Sequence, residues 1–116
     1  MQAQPRLDYV VIRVSDIAAS TRYFTETLGF TLVSEESGPN FSYLKGAPGG
    51  IDFGLMPVAE NTKPGHVELY FKTPNLEGVR AELLSKGIEA SPIMHPPFGT
   101  IFTVTSPDGE TLTMMA

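Results

Sequence analysis

The sequence contains no cysteine, and this absence excludes several kinds of site at once. Disulfides, thiolate nucleophiles and metal centres held by thiolates all require cysteine. A chain that needs no disulfide fits a cytoplasmic protein, which is the location we expect. The first residues form no apolar signal core, and no apolar run approaches the length of a membrane span. We therefore expect a soluble protein with no membrane partner.

Basic side chains are also scarce. Eight Lys and Arg residues against thirteen Asp and Glu residues give a net charge of −5 and a pI near 4.9. Because no basic cluster is available to neutralise phosphates, the composition argues against nucleic acid as a partner. No nucleophile elbow, phosphate loop or dinucleotide fingerprint is present either. An acidic groove would favour a cationic, partly aromatic ligand.

What the sequence does contain is an internal repeat. The segment that begins at Asp8 is echoed by the segment that begins at Gly65, with an offset of about 58 residues. The repeat predicts one domain made of two strand-helix-strand-strand-strand (βαβββ) modules, residues 7–57 and 65–116, joined by a polar linker at 58–64. With 116 residues, 41% of them hydrophobic, the chain can build one core but not two independent ones. The expected ligand site is a cavity between the modules.

Hydrophobic periodicity places the elements of the first module. Residues 9–14 alternate as a half-buried strand, and Ser15 or Asp16 begins a helix that ends at Gly29. Ile17, Phe24 and Leu28 should form the buried stripe of this helix. Three strands follow between turn-forming clusters, at 30–35, 41–45 and 51–56.

The second module repeats this order. We expect a strand at 66–71 and a helix capped by Thr73 or Asn75 and ended by Gly87. Three further strands are predicted at 88–93, 100–105 and 111–115. The buried residues of the helix should be Leu76, Val79, Leu83 and Leu84.

Alternation along the strands predicts that one face of each module packs under its helix and that the other face is mixed in character. A mixed polar and apolar face is typical of a ligand cavity. The predicted members of this face are Tyr9, Val11, Arg13, Asp52, Gly54, Met56, His66, Glu68, Tyr70, Thr111, Thr113 and Met115.

Three motifs carry a family resemblance that covers nearly the whole chain: Tyr9-Val-Val-Ile-Arg-Val-Ser-Asp16, His66-Val-Glu-Leu-Tyr-Phe71 and Ser106-Pro-Asp-Gly-Glu-Thr-Leu-Thr113. They resemble the vicinal oxygen chelate superfamily of glyoxalases, bleomycin resistance proteins and extradiol dioxygenases. The resemblance implies an α+β fold in which two βαβββ modules form a glyoxalase-like cupped mixed sheet with helices on the outside. It also implies a homodimer, and it leaves the reaction open.

In metal-dependent members of that superfamily, the resemblance implies a divalent ion held at the positions of Tyr9, Gly54, His66 and Thr113. Only His66 is a good ligand, whereas such a site needs about three protein donors. The other histidine, His95, lies in a proline-rich loop. We therefore expect no metal and no other cofactor. A nonstandard site built from His66, Glu68 and Asp52 is the alternative.

The leading hypothesis is a metal-free protein of the glyoxalase or bleomycin-resistance type that binds a small organic molecule. The alternative is a lyase, isomerase or dioxygenase that uses the nonstandard metal site or acid-base chemistry by His66 and Glu68. A purely structural module has no positive support in the sequence. Each side chain also has a plain structural interpretation, such as pairing of charges or packing of aromatic rings. The candidate ligand-binding residues are Tyr9, Arg13, Asp52, Gly54, Tyr70, Phe98 and Thr113.

Overall fold

The computed structural model describes residues 4–59 and 62–116, so positions 60 and 61 of the predicted linker lie outside the described residues. The elements are β1 (Arg6–Val14), α1 (Ile17–Arg22), β2 (Thr31–Leu32), β3 (Ser42–Lys45), β4 (Asp52–Pro57), β5 (Val67–Lys72), α2 (Leu76–Ser85), β6 (Ile101–Thr105) and β7 (Thr111–Met115). No helix in the described part of the chain is long and apolar enough to cross a membrane.

The described residues group into two units, 9–67 and 4–8 together with 68–116. In the first unit the strand order is β2-β3-β4-β1, with β1 parallel to β4 and β3 antiparallel to β4. In the second unit the order is β5-β7-β6, with β5 parallel to β7 and β6 antiparallel to β7. Both repeats therefore place the last strand between the first strand and the strand that comes just before the last one in the chain. The predicted α+β class with mixed pairing is confirmed.

The core of unit 9–67 forms where α1 packs on the strands. Val14, Leu44 and Leu55 are buried, and Ile17 packs against them. Three phenylalanine rings, Phe24, Phe30 and Phe53, meet edge to face with centroids 5.0–6.0 Å apart. Such edge-to-face contacts suit the charge distribution of aromatic rings. Asp16 caps the helix by accepting a hydrogen bond from the backbone N–H of Ala19, as one of the two predicted caps.

The predicted buried position of Leu28 is wrong, because its side chain is 50% exposed. After Arg22 the helix widens into a π-helical turn, Tyr23–Thr27, which is closed by a bond from Leu28 N to Tyr23 O of 3.2 Å. The wider turn rotates Leu28 away from the stripe that a regular α-helix would give. Phe30 fills the core instead, beyond the left-handed residue Gly29.

The core of the second unit joins α2 to β6 and β7. Leu76 and Val79 are buried against Phe102 and Met114, and Asn75 is the helix cap. The predicted burial of Leu84 is wrong, since 44% of it is exposed while its neighbour Leu83 packs on the core. The apolar stripe runs through positions spaced by three, four and seven residues, and Leu84 lies one residue, about 100°, off that stripe.

The strand predicted at 88–93 does not form. This segment makes one backbone bond to β6, from Ser91 N to Thr103 O, and the next residue, Met94, makes an isolated bridge with Ile101. Proline at position 92 has no N–H to donate, so a regular ladder with β6 cannot continue through it. The second repeat is therefore βαββ with an irregular edge segment. In the first repeat, the strand predicted at 30–35 is limited to Thr31–Leu32, because residues Ser34–Glu36 form a 3-10 turn.

Candidate functional site

Two tyrosine rings and one carboxylate come together on the face of unit 9–67 that lies opposite the helix. The rings of Tyr9 and Tyr43 are stacked, with centroids 5.5 Å apart and planes inclined by 22°. The Tyr43 hydroxyl donates a hydrogen bond of 2.7 Å to Oδ2 of Asp52. All three residues are partly exposed, although the Tyr9 hydroxyl itself is buried. This tyrosine–aspartate cluster offers aromatic surface and an anionic group side by side.

The register of the paired strands brings the three side chains of this cluster together. Tyr9 lies opposite Asp52 in the parallel pair of β1 and β4, and Tyr43 lies opposite Gly54 in the antiparallel pair of β3 and β4. Asp52 is therefore the diagonal neighbour of Tyr43, within reach of a long aromatic side chain. Ser42 and Leu44, the residues on either side of Tyr43, face the helix and are buried.

Gly54 lies beneath the cluster and has no room for a side chain. A Cβ atom at this position would collide with the Tyr9 hydroxyl and would lie 2.5 Å from Cε1 of Phe41, closer than real Cβ atoms approach. Tyr9 and Phe41 therefore occupy the space that a side chain at position 54 would need. Sequence reasoning missed Phe41 and Tyr43. Period-two alternation along residues 41–45 could have placed both on the face of Asp52 and Gly54.

Arg13 and His66 lie at the other end of β1. Arg13 N donates to His66 O at 2.8 Å, Gly65 N donates to Arg13 O at 2.7 Å, and Nη1 of Arg13 donates to Pro57 O at 3.1 Å. Arg13 thus forms hydrogen bonds with residues at both ends of the segment between β4 and β5. Arg13 lies four positions along β1 from Tyr9, about 13 Å at roughly 3.3 Å per residue. The backbone of His66 is therefore bonded at the end of β1 away from Tyr9, although both residues were expected in one site.

The remaining predicted residues belong to the second unit. Tyr70 and Thr113 are directly opposite each other in the parallel pair of β5 and β7, and Thr113 is buried. Glu68 precedes Tyr70 by two residues on the same strand and is partly exposed. Phe98 is 64% exposed, in the turn that follows His95. The cavity between the modules, the ligand contacts and acid-base chemistry by His66 and Glu68 stay predictions.

The donor atoms at the four metal positions implied by the fold do not fit a divalent ion. Gly54 offers no side-chain donor, Thr113 offers a neutral hydroxyl, and Tyr9 is distant from His66 along β1. Divalent metal sites with nitrogen and oxygen ligands take about three histidine or carboxylate donors. Within residues 4–59 and 62–116, no three His, Cys, Asp or Glu side chains form a group that could hold a metal ion.

Two repeats in which the first and last strands run parallel, each with a helix packed on one face, define a glyoxalase-like protein. The chain belongs to the Glyoxalase/Bleomycin resistance protein/Dioxygenase superfamily, whose family model matches residues 6–114. The resemblance seen in the sequence motifs is thereby confirmed. A comparison with curated proteins gave no match.

Solved structures share the fold at low sequence identity. Methylmalonyl-CoA epimerase from Mycobacterium tuberculosis aligns with a TM-score of 0.73 and 21% identity, over 94% of this chain and 85% of that one. A glyoxalase/bleomycin resistance protein/dioxygenase superfamily member from Vibrio splendidus 12B01 aligns with a TM-score of 0.68 and 21% identity, over 96% and 97%. The Mn(II)-bound glyoxalase from Novosphingobium aromaticivorans aligns with a TM-score of 0.70 and 20% identity, over 97% and 40%. These similarities establish the fold and not the reaction.

Proposed function

We propose that the protein binds a small, cationic and partly aromatic organic molecule at the tyrosine–aspartate cluster, without a resident metal ion. The observation that carries this proposal is the hydrogen bond of 2.7 Å between Tyr43 and Asp52 beside the stacked ring of Tyr9. Aromatic faces attract cations and stack on planar ligands, and a carboxylate adds a complementary charge. Binding and sequestration of such a compound is the function that these groups support best.

The net charge of the chain supports the same class of ligand. With a charge of −5, the field of the protein attracts cations to a partly exposed carboxylate. The packing of Tyr9 and Phe41 over Gly54 supports the metal-free part of the proposal, because it uses the space of a metal-binding side chain for aromatic surface. The family includes bleomycin resistance proteins, and binding without catalysis is compatible with that membership.

The test compares N-methylacridinium, a planar cation, with acridine, its neutral counterpart, in titrations followed by fluorescence at mildly alkaline pH. We expect saturable binding of the cation and weaker binding of the neutral compound. Asp52→Asn should weaken binding of the cation by about two- to fivefold, the range of an exposed ion pair, and should leave acridine binding unchanged. Asp108→Asn, which removes a carboxylate from the turn before β7, is the matched control.

Two results would contradict the proposal. Equal binding of both compounds to the wild type and to the Asp52→Asn variant would exclude a role for the carboxylate. A stoichiometric divalent ion, found by elemental analysis of protein purified without chelator, would contradict the metal-free part. Loss of turnover in a His66→Ala variant, for any substrate found in a screen of α-keto compounds, would favour the enzymatic alternative.

A further inference from the structure

A groove lies along the edge of β6 in the second unit. Residues 87–91 form one wall and residues 103–105 form the other, around a cavity volume of about 490 Å³. This volume falls within the range of roughly 300–1,000 Å³ that is usual for ligand pockets. Neither wall includes a residue of the tyrosine–aspartate cluster, so the groove is a separate feature of the molecule.

The groove exists because the edge segment leaves β6 partway along the strand. Beside Ile101 the contact is a regular bridge, with two bonds to Met94 of 2.8 and 3.0 Å. Beside Thr103 only one backbone bond remains, from Ser91 N to Thr103 O, and Thr103 N donates to the Ser91 hydroxyl instead. Nε of Arg80 on α2 holds the carbonyl of Ser91 at 2.7 Å. Residues 87–90, all of which the structure describes, therefore make no backbone hydrogen bond with β6.

The alternation of backbone groups along β6 directs the N–H and C=O of Thr105 into this groove. The N–H and C=O groups of Ile101 and Thr103 point away from β7, toward the edge segment. Backbone groups two residues apart on a strand point the same way, so those of Thr105 point into the groove as well. Unlike Ile101 and Thr103, Thr105 makes no bond to the segment across from it in this fully described stretch.

We propose that this groove binds an extended peptide segment that carries a basic side chain. A strand edge presents a backbone donor and acceptor at strand spacing, and the chemical group that matches both is another peptide backbone. Glu89 is the charged side chain in the wall of the groove, and no basic residue lines it. An anionic wall in a protein of charge −5 selects Lys or Arg in the bound segment.

The probe for the test is the peptide acetyl-Thr-Val-Lys-Val-amide. Proton–nitrogen correlation spectra should show concentration-dependent shifts at the amides of Thr105 and Ala90 and none at Tyr43. Two analogues, methylated at alternate backbone nitrogens, distinguish strand addition from adsorption through side chains. One analogue should bind about two- to tenfold more weakly than the other, because only one set of amides faces Thr105.

Side-chain recognition is tested by replacing lysine in the peptide with norleucine. The wild type should bind the lysine peptide about two- to fivefold more tightly, and Glu89→Gln should abolish this preference without unfolding the protein. Glu77→Gln, at an exposed position of α2, is the matched control. The proposal is overturned if Thr105 does not shift at millimolar peptide, or if both methylated analogues bind equally. It is also overturned if the Thr105 amide shifts with protein concentration alone, since a second copy of the chain would then fill the groove.

Discussion

The absence of a side chain at position 54 shapes the candidate site. Gly54 has an ordinary backbone conformation, so conformational freedom does not explain its presence. The reason is steric, because the Tyr9 hydroxyl and the Phe41 ring fill the space above its Cα atom. Tyr9 and Gly54 are thus a matched pair. A substitution at one of them should change the effect that a substitution at the other has on the free energy of unfolding.

Gly54→Ala should lower the free energy of unfolding by about 1–3 kcal/mol, the cost of adding a methyl group to a filled space. Removing the Tyr9 hydroxyl in the double variant Tyr9→Phe/Gly54→Ala should recover part of this loss, because the closest collision disappears. Urea unfolding of the wild type, the two single variants Tyr9→Phe and Gly54→Ala, and the double variant measures the coupling. Gly50→Ala is the control, since its Cβ would meet only the carbonyl of Ala47 at 3.5 Å. Equal stability of the two alanine variants would disprove the matched pair.

The sequence patterns predicted the face of the sheet on which a residue lies better than they predicted the contacts that the residue makes. Alternation placed Tyr9 and Asp52 on the face opposite the helix, and the structure brings both into the cluster. The bond between Tyr43 and Asp52 could not be predicted, since it depends on the register of β3 against β4, which the connection at 46–51 does not fix by its sequence. Likewise, nothing in the sequence shows that Nη1 of Arg13 binds the carbonyl of Pro57.

Local sequence signals predicted the residues that begin and end the helices. The strand predicted at 88–93, in contrast, does not form. Asn75 caps α2 by accepting from Gly78 N at 3.0 Å, and Gly29 and Gly87 adopt the left-handed conformation that ends a helix. Residues 88–93 were predicted as a strand because of their place in the repeat, but Pro92 and the Ser91 side chain interrupt the pairing of this segment with β6. Composition alone could not show which partner the Thr103 amide would take.

Ser91→Ala should remove the acceptor of the Thr103 amide and lower the free energy of unfolding by about 0.5–1.5 kcal/mol. Hydrogen exchange at Thr103 should become faster, while exchange at Ile101, which keeps its bond to Met94, should not change. Ser85→Ala serves as the control, because its hydroxyl bonds only the exposed carbonyl of Glu82. Unchanged exchange at Thr103 would mean that the Ser91 hydroxyl does not close this edge.

Across the whole chain, the two repeats share a topology but differ in how their faces are used. The first repeat places tyrosines and a carboxylate opposite its helix, and the second places Glu68, Tyr70 and Thr113 there. The internal offset in the sequence predicted the common order of strands and helices, because that order depends on local pattern. It could not predict the irregular edge of the second repeat, which depends on a single proline and a single serine.

The net charge of −5 leads to a prediction that separates the effect of the overall charge on ligand binding from the effect of Asp52. Affinity for N-methylacridinium should fall by about two- to fivefold as ionic strength rises from about 0.01 to 0.15 M, because the screening length shortens from roughly 30 to 8 Å. Affinity for neutral acridine should not change with salt. In the Asp52→Asn variant, the remaining salt dependence measures the contribution of the other charges. If this variant kept the full dependence, attraction by the overall charge, and not the carboxylate bonded to Tyr43, would account for selection of the cation.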